Sequence, residues 1–172
     1  MTEAKLEQTA EGIVRRSEGW FVVNAHDAAW RNTERFGAFC SFEGDVRFPH
    51  FGLNIHVLQP QQPSCHYHGE EAQEDFLVLS GECVLLIDGQ ERKLKAWDFV
   101  HCEPWTEHVF VGAGSGPCAI LMVGARNVGE GILYPRSDLA LKHGAGVREA
   151  TPDPKVSYAD CPKSTPSRAA EW

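Results

Sequence analysis

Long apolar runs are missing from this sequence, and so is any block of basic residues. No stretch approaches the roughly 20 consecutive apolar residues of a bilayer-spanning helix. The segment from Met1 to Gln8 is too polar to read as a secretory leader. A cytoplasmic protein with no membrane partner is the expectation. Lys and Arg total 16 against 24 Asp and Glu, and the net charge is −8 with the acids scattered. The electrostatic footprint of a nucleic-acid binder is therefore lacking, and nucleic acid is set aside as a partner. No CxxC pair occurs among Cys40, Cys65, Cys83, Cys102, Cys118 and Cys161. In a reducing compartment all six read as free thiols that behave as small apolar side chains. There is no internal repeat at a solenoid period, and helical periodicity is scarce.

What is present is a β-protein's rhythm. From Gly52 onward, short runs rich in Val, Ile, Leu and Phe are broken by Gly, Pro and Asp-Gly about every ten residues. The spacing predicts strands at 20–24, 53–58, 76–79, 83–87, 91–94, 99–102, 108–111 and 119–123. Asp88-Gly89 tolerates the positive φ of a type I′ turn and predicts a tight hairpin. A second hairpin is expected at Gly112 to Pro117, where Pro117 and the following apolar run argue against a dinucleotide loop. So many short strands hide their edges by closing into a barrel or jelly roll. One helix is expected at residues 3–16 and a helical turn from Ser137 to Lys142. Prolines at 152, 154, 162 and 166 make residues 151–172 irregular. The chain thus divides into an extension at 1–18, a barrel domain at 19–130 and a partly irregular extension at 131–172.

His66 and His68 are two apart, so in an extended chain both point to one face. Glu74 opens the next strand and His108 begins another. Three imidazoles and one carboxylate suit a first-row divalent ion and leave room for water or substrate. Cys65 adjoins His66, but strand alternation sends neighbours to opposite faces, which excludes a Cys–His dyad. Asn54 and His56 form the polar face of the 53–58 strand. His101 and Cys102 alternate beside the site, and Trp97 and Trp105 either wall the barrel mouth or cover its outside. No catalytic residue is assigned beyond the ligands.

The stretch from Pro63 to Gly81, with His66, His68, Glu74 and Gly81 in order, resembles the first signature motif of the cupin superfamily. Trp97 to His108 resembles a second motif, and fifteen residues separate the two, as in the shortest microbial cupins. The resemblance covers about residues 50–125. It implies an all-β, cupin-type double-stranded β-helix, a jelly-roll barrel with irregular N- and C-terminal extensions. It also implies a metal held by His66, His68, Glu74 and His108. The spacer from His68 to Glu74 is one residue longer than usual, which keeps Glu70, Glu71 and Gln73 open as the oxygen donor. The metal is expected to be Zn, Fe, Mn or Ni. The implied function is a metal-dependent isomerase or dioxygenase acting on a small polar metabolite, in the style of mannose-6-phosphate isomerase-like cupins. The alternative is a non-catalytic binding or sensing cupin with the metal as ligand anchor. A homodimer is expected, as cupin barrels commonly pair through edge strands or terminal segments.

Overall fold

Alternation of apolar and polar residues through the middle of the chain produces antiparallel strands whose inward residues meet across two sheets. The computed structural model describes residues 2–126, 128–129 and 131–172. Its strands are β1 (Leu6–Gln8), β2 (Ile13–Arg15), β3 (Trp30–Thr33), β4 (Gly37–Cys40), β5 (Phe51–Leu58), β6 (Gly69–Glu70) and β7 (Glu74–Ser80). They continue with β8 (Glu82–Ile87), β9 (Gln90–Lys95), β10 (Phe99–Cys102), β11 (His108–Ala113), β12 (Cys118–Ala125), β13 (Ile132–Leu133) and β14 (Thr165–Ser167). Two short helices are α1 (Asp138–Lys142) and α2 (Pro154–Ser157).

A seven-stranded sheet runs β10-β7-β12-β5-β4-β3-β14, and a three-stranded sheet runs β11-β8-β9. Between them lies a core of Leu58, Phe76, Val78, Cys83, Leu85, Cys102, Phe110, Cys118 and Ile120. Burying each of its larger side chains contributes about 1.5–3 kcal/mol. The result is the all-β jelly-roll architecture expected. A second cluster, centred on Trp30, Cys40, Ile55 and Val57, sits on the opposite face of the larger sheet, with Ala169, Ala170 and Trp172 packed on it. The six cysteines are free, and among the described residues no helix is long and apolar enough to cross a membrane.

Asp88 and Gly89 take φ values of 43° and 72°, as the hairpin between β8 and β9 requires. Gly81 also has a positive φ, and a Cβ there would lie 2.3 Å from the Pro117 carbonyl oxygen. Only glycine fits that position. Helix α1 begins as expected, with the Ser137 hydroxyl accepting from the Ala140 N–H.

Four expectations are corrected. Residues 3–16 form not a helix but the β1–β2 hairpin, in which Leu6 pairs with Arg15. The β-branched Ile13 and Val14 suit a strand, and Gly12 packs against the Ala28 carbonyl too closely for any side chain. Residues 20–24 are not a strand; Trp20 makes a single bridge to Glu3. The Gly112–Pro117 connection is tight, but it is no hairpin, because β11 and β12 belong to different sheets. The C-terminal region is also more regular than its prolines suggest. Asp153 caps α2 by accepting from the Lys155 N–H, and Pro154 occupies the first turn. Strand β14 pairs with β3, with Thr165 opposite Asn32, and its Pro166 is tolerated because β14 is an edge. The barrel boundary expected at residue 130 falls on a residue outside those described.

Candidate metal centre

His68 and His108 face each other across a backbone bridge, His108 N–H to His68 carbonyl at 2.8 Å and the reverse bond at 3.2 Å. Their rings are 5.0 Å apart. Glu74 opens β7 opposite Cys102 on one side and Gly124 on the other, and its Oε2 lies 3.3 Å from His108 Nε2. One ligand atom each from His68, Glu74 and His108 fall within 4.8 Å of one another. His108 is buried, while His68 and Glu74 are half-buried.

The backbone orients both rings. His68 Nδ1 is 2.8 Å from the His66 carbonyl, and His108 Nδ1 is 2.9 Å from the Thr106 carbonyl. A carbonyl only accepts, so each Nδ1 carries the proton, and in the neutral ring Nε2 keeps its lone pair for a ligand. Cys65 Sγ lies farther from His68 Nδ1, at 3.6 Å.

The electrostatics are those of a site short of a cation. Burial raises the Glu74 carboxyl to about 7, and the Glu70 charge adds to this against the opposing effect of His68. Burial disfavours the His68 imidazolium, but Cys65, Glu74 and the His66 carbonyl outweigh it and raise the pKa to about 10. Burial, then the neighbouring His68, lower His108 to about 4. A divalent ion would replace the proton that His68 and Glu74 otherwise retain.

His66 is not brought to this cluster. Residues 66 and 67 are outside any strand, so the same-face argument, which assumes an extended chain, fails there. The His66 ring instead stacks on Tyr158 at 4.6 Å between ring centres. Its Nδ1 shares a 2.8 Å hydrogen bond with Ser157 Oγ, its Nε2 lies 3.9 Å from Cys161 Sγ, and its backbone N–H donates to the Tyr158 hydroxyl. Burial lowers its pKa to about 4, helped by Arg35 and His68.

Among the alternative oxygen donors, Glu71 accepts from the Gly131 N–H and Gln73 donates to Asp75. Both are turned elsewhere. Glu70 stays close enough to affect Glu74 and His68, and it lines a cleft of about 450 Å³ together with Arg47 and Arg126. Trp97 and Trp105 are exposed. His101 pairs with Asp75 at 2.7 Å, and Cys102 is a core residue whose burial pushes its thiol to about 12. Sequence reasoning missed Tyr134, whose ring lies 5.8 Å from that of His68. No local pattern marks it, because it arrives from beyond the barrel strands.

Residues 54–124 match the family model described as Cupin domain. A cupin-superfamily sugar phosphate isomerase from Silicibacter pomeroyi is 25% identical, with a TM-score of 0.52 over 66% of this chain and 69% of that one. The polyketide cyclase RemF from Streptomyces resistomycificus is 17% identical, with a TM-score of 0.55 over 62% of this chain and 80% of that one. This chain spans 61% of the length of a candidate sugar phosphate isomerase from Acidithiobacillus ferrooxidans, which covers 55% of it at 23% identity and a TM-score of 0.49. No curated protein matches in sequence.

Proposed function

We propose that the chain is a mononuclear metal-dependent cupin enzyme in which His68, Glu74 and His108 hold one divalent ion, with dioxygenase-type chemistry on a small polar metabolite. The observation carrying this reading is the donor set, two imidazoles and one carboxylate within 4.8 Å, with His66 engaged elsewhere. Two histidines and one carboxylate suit iron(II) and leave more coordination positions open than the four-ligand set expected from sequence. When bound, the ion supplies Lewis acidity and, as iron, redox capacity. The chain's own contribution is to keep both Nε2 lone pairs available, to hold Glu74 beside them, and to shield His108 from water.

Isomerisation of a phosphorylated sugar is the second reading. It is supported by the likeness to the Silicibacter pomeroyi isomerase and by Arg47 and Arg126 lining the cleft at Glu70. Against it, Arg126 is already held by Glu43 and the Phe48 carbonyl. Metal analysis of untagged protein, followed by oxygen-uptake and phosphosugar-turnover assays, tests both. About one equivalent of iron with oxygen uptake supports the dioxygenase. Tight zinc with phosphosugar turnover supports the isomerase, and a retained ion with neither activity leaves a sensing role. Less than about a tenth of an equivalent of any metal overturns the shared site.

A further inference from the structure

The charged side chains that line the cleft of about 450 Å³ at Glu70 differ in what they have left to bind. Arg126 is engaged: its Nη1 and Nη2 donate to the two Glu43 oxygens at 2.6 and 3.1 Å, and Nη1 also donates to the Phe48 carbonyl. Glu43 is taken up in turn, since its Oε1 accepts from the Phe48 N–H as well. Arg47 and Glu70 line the same cleft, and among the described residues neither side chain enters a hydrogen bond or an ion pair. They do not reach each other either. One cation and one anion therefore stand open in a single cleft.

Arg47 is exposed, and an unpaired arginine at the surface is ordinary. Glu70 is different, because it is half-buried and a carboxylate drawn out of water needs a donor or a cation. A Cβ placed on Gly124 would lie 3.8 Å from Glu70 Oε1 and 3.8 Å from Glu74 Oε1. The open carboxylate thus stands beside a candidate metal ligand, and the cleft it lines borders the centre. Phe48, Ala72, Ala125 and Ile132 add apolar wall. A matching ligand has a cationic nitrogen for Glu70, an anionic group for Arg47 and a short hydrocarbon link between them. A phosphorylated sugar fits less well, because it offers Glu70 hydroxyl donors but no opposite charge.

We propose that this cleft binds a small zwitterion, an amino acid whose carboxylate pairs with Arg47 and whose ammonium pairs with Glu70. This names the substrate class of the enzyme proposed above, and that assignment rests on the metal reading, whereas the binding site itself does not. Because Arg47 and Glu70 are too far apart to pair directly, the length of the link between the two charges selects among amino acids.

The test is calorimetric titration of the whole chain in EDTA with glycine, β-alanine, 4-aminobutyrate and 6-aminohexanoate. Each is compared with its carboxylate-only and amine-only counterparts of the same length, such as butyrate and butylamine for 4-aminobutyrate. The expected result is that at least one amino acid binds about tenfold or more tightly than both of its counterparts. Glu70→Gln should erase its advantage over the carboxylate, and Arg47→Gln its advantage over the amine. Zinc affinity, titrated separately, should stay within a few fold of the parent in both variants. The proposal is overturned if no amino acid outbinds both counterparts, if either advantage survives its variant, or if Glu70→Gln loses zinc as heavily as His68→Ala, which would make Glu70 a metal ligand instead. Failure of the metal reading looks different: the parent binds no zinc while the amino-acid preference and its loss in the variants persist, and the substrate assignment alone is then overturned. Arg47 is at the surface, so its variant remains informative even if Glu70→Gln fails to fold.

Discussion

His66 and His68 leave the same short segment toward two different neighbourhoods. Around His68, the Nδ1 proton is spent on a main-chain carbonyl and Nε2 looks toward a carboxylate and a second imidazole. Around His66, a hydroxyl takes one nitrogen, a thiol stands near the other, and a tyrosine covers the ring face. Ligand capacity follows from which nitrogen is left over, and an HxH spelling does not decide that. The difference also separates their charges, since burial drives His66 to about 4 while the anionic surroundings of His68 raise it to about 10.

The sharpest way to break this contrast is to remove each imidazole and measure metal after dialysis. His68→Ala and His108→Ala should each lower affinity by about a thousandfold or more, while His66→Ala stays within a few fold of the parent. Equal losses in all three would mean that His66 is a ligand after all.

Next in size is acid stability of the metal-free protein. The unfolded chain binds a proton at His66 near pH 6.5, whereas the folded chain binds it only near 4. The contribution is therefore complete above 6.5 and lost as the pH falls toward 4, on the order of 2–3 kcal/mol. Urea titrations at pH 7 and pH 4.5 should show a smaller drop for His66→Gln. His68 works with the opposite sign, since its raised pKa stabilises the fold below about 6.5 and that contribution disappears as the pH rises toward 10.

Glu74→Gln should weaken metal binding by about 10- to 100-fold, with Glu71→Gln unchanged; calorimetric titration with zinc distinguishes them. The smallest effect belongs to Tyr158→Phe. Losing the hydroxyl that accepts from the His66 N–H should cost about 1 kcal/mol in urea unfolding and leave metal content untouched.

The barrel was readable because its signals are local. Short apolar runs broken by turn residues marked every strand from β5 onward except the short β6, β13 and β14, and Asp88-Gly89 marked its hairpin. His68, Glu74 and His108 were readable through the spacing of the motif-like stretches. What escaped depends on distant partners. The β1–β2 hairpin leans on Ala28, β14 pairs with a strand more than a hundred residues earlier, and His66 is claimed by Ser157 and Tyr158. No window around His66 contains those residues, so nothing in its neighbourhood could signal that the ring would be diverted.

The two imidazoles of the centre are aligned by the carbonyl oxygens of His66 and Thr106, atoms that any amino acid supplies. Substitution at either position thus leaves the alignment chemically intact so long as the backbone keeps its path. That frees the side chain at position 66 to be shaped by Ser157 and Tyr158 without disturbing the candidate ligand His68 two residues away. The two neighbourhoods can therefore diverge in evolution, or be redesigned, largely independently of each other.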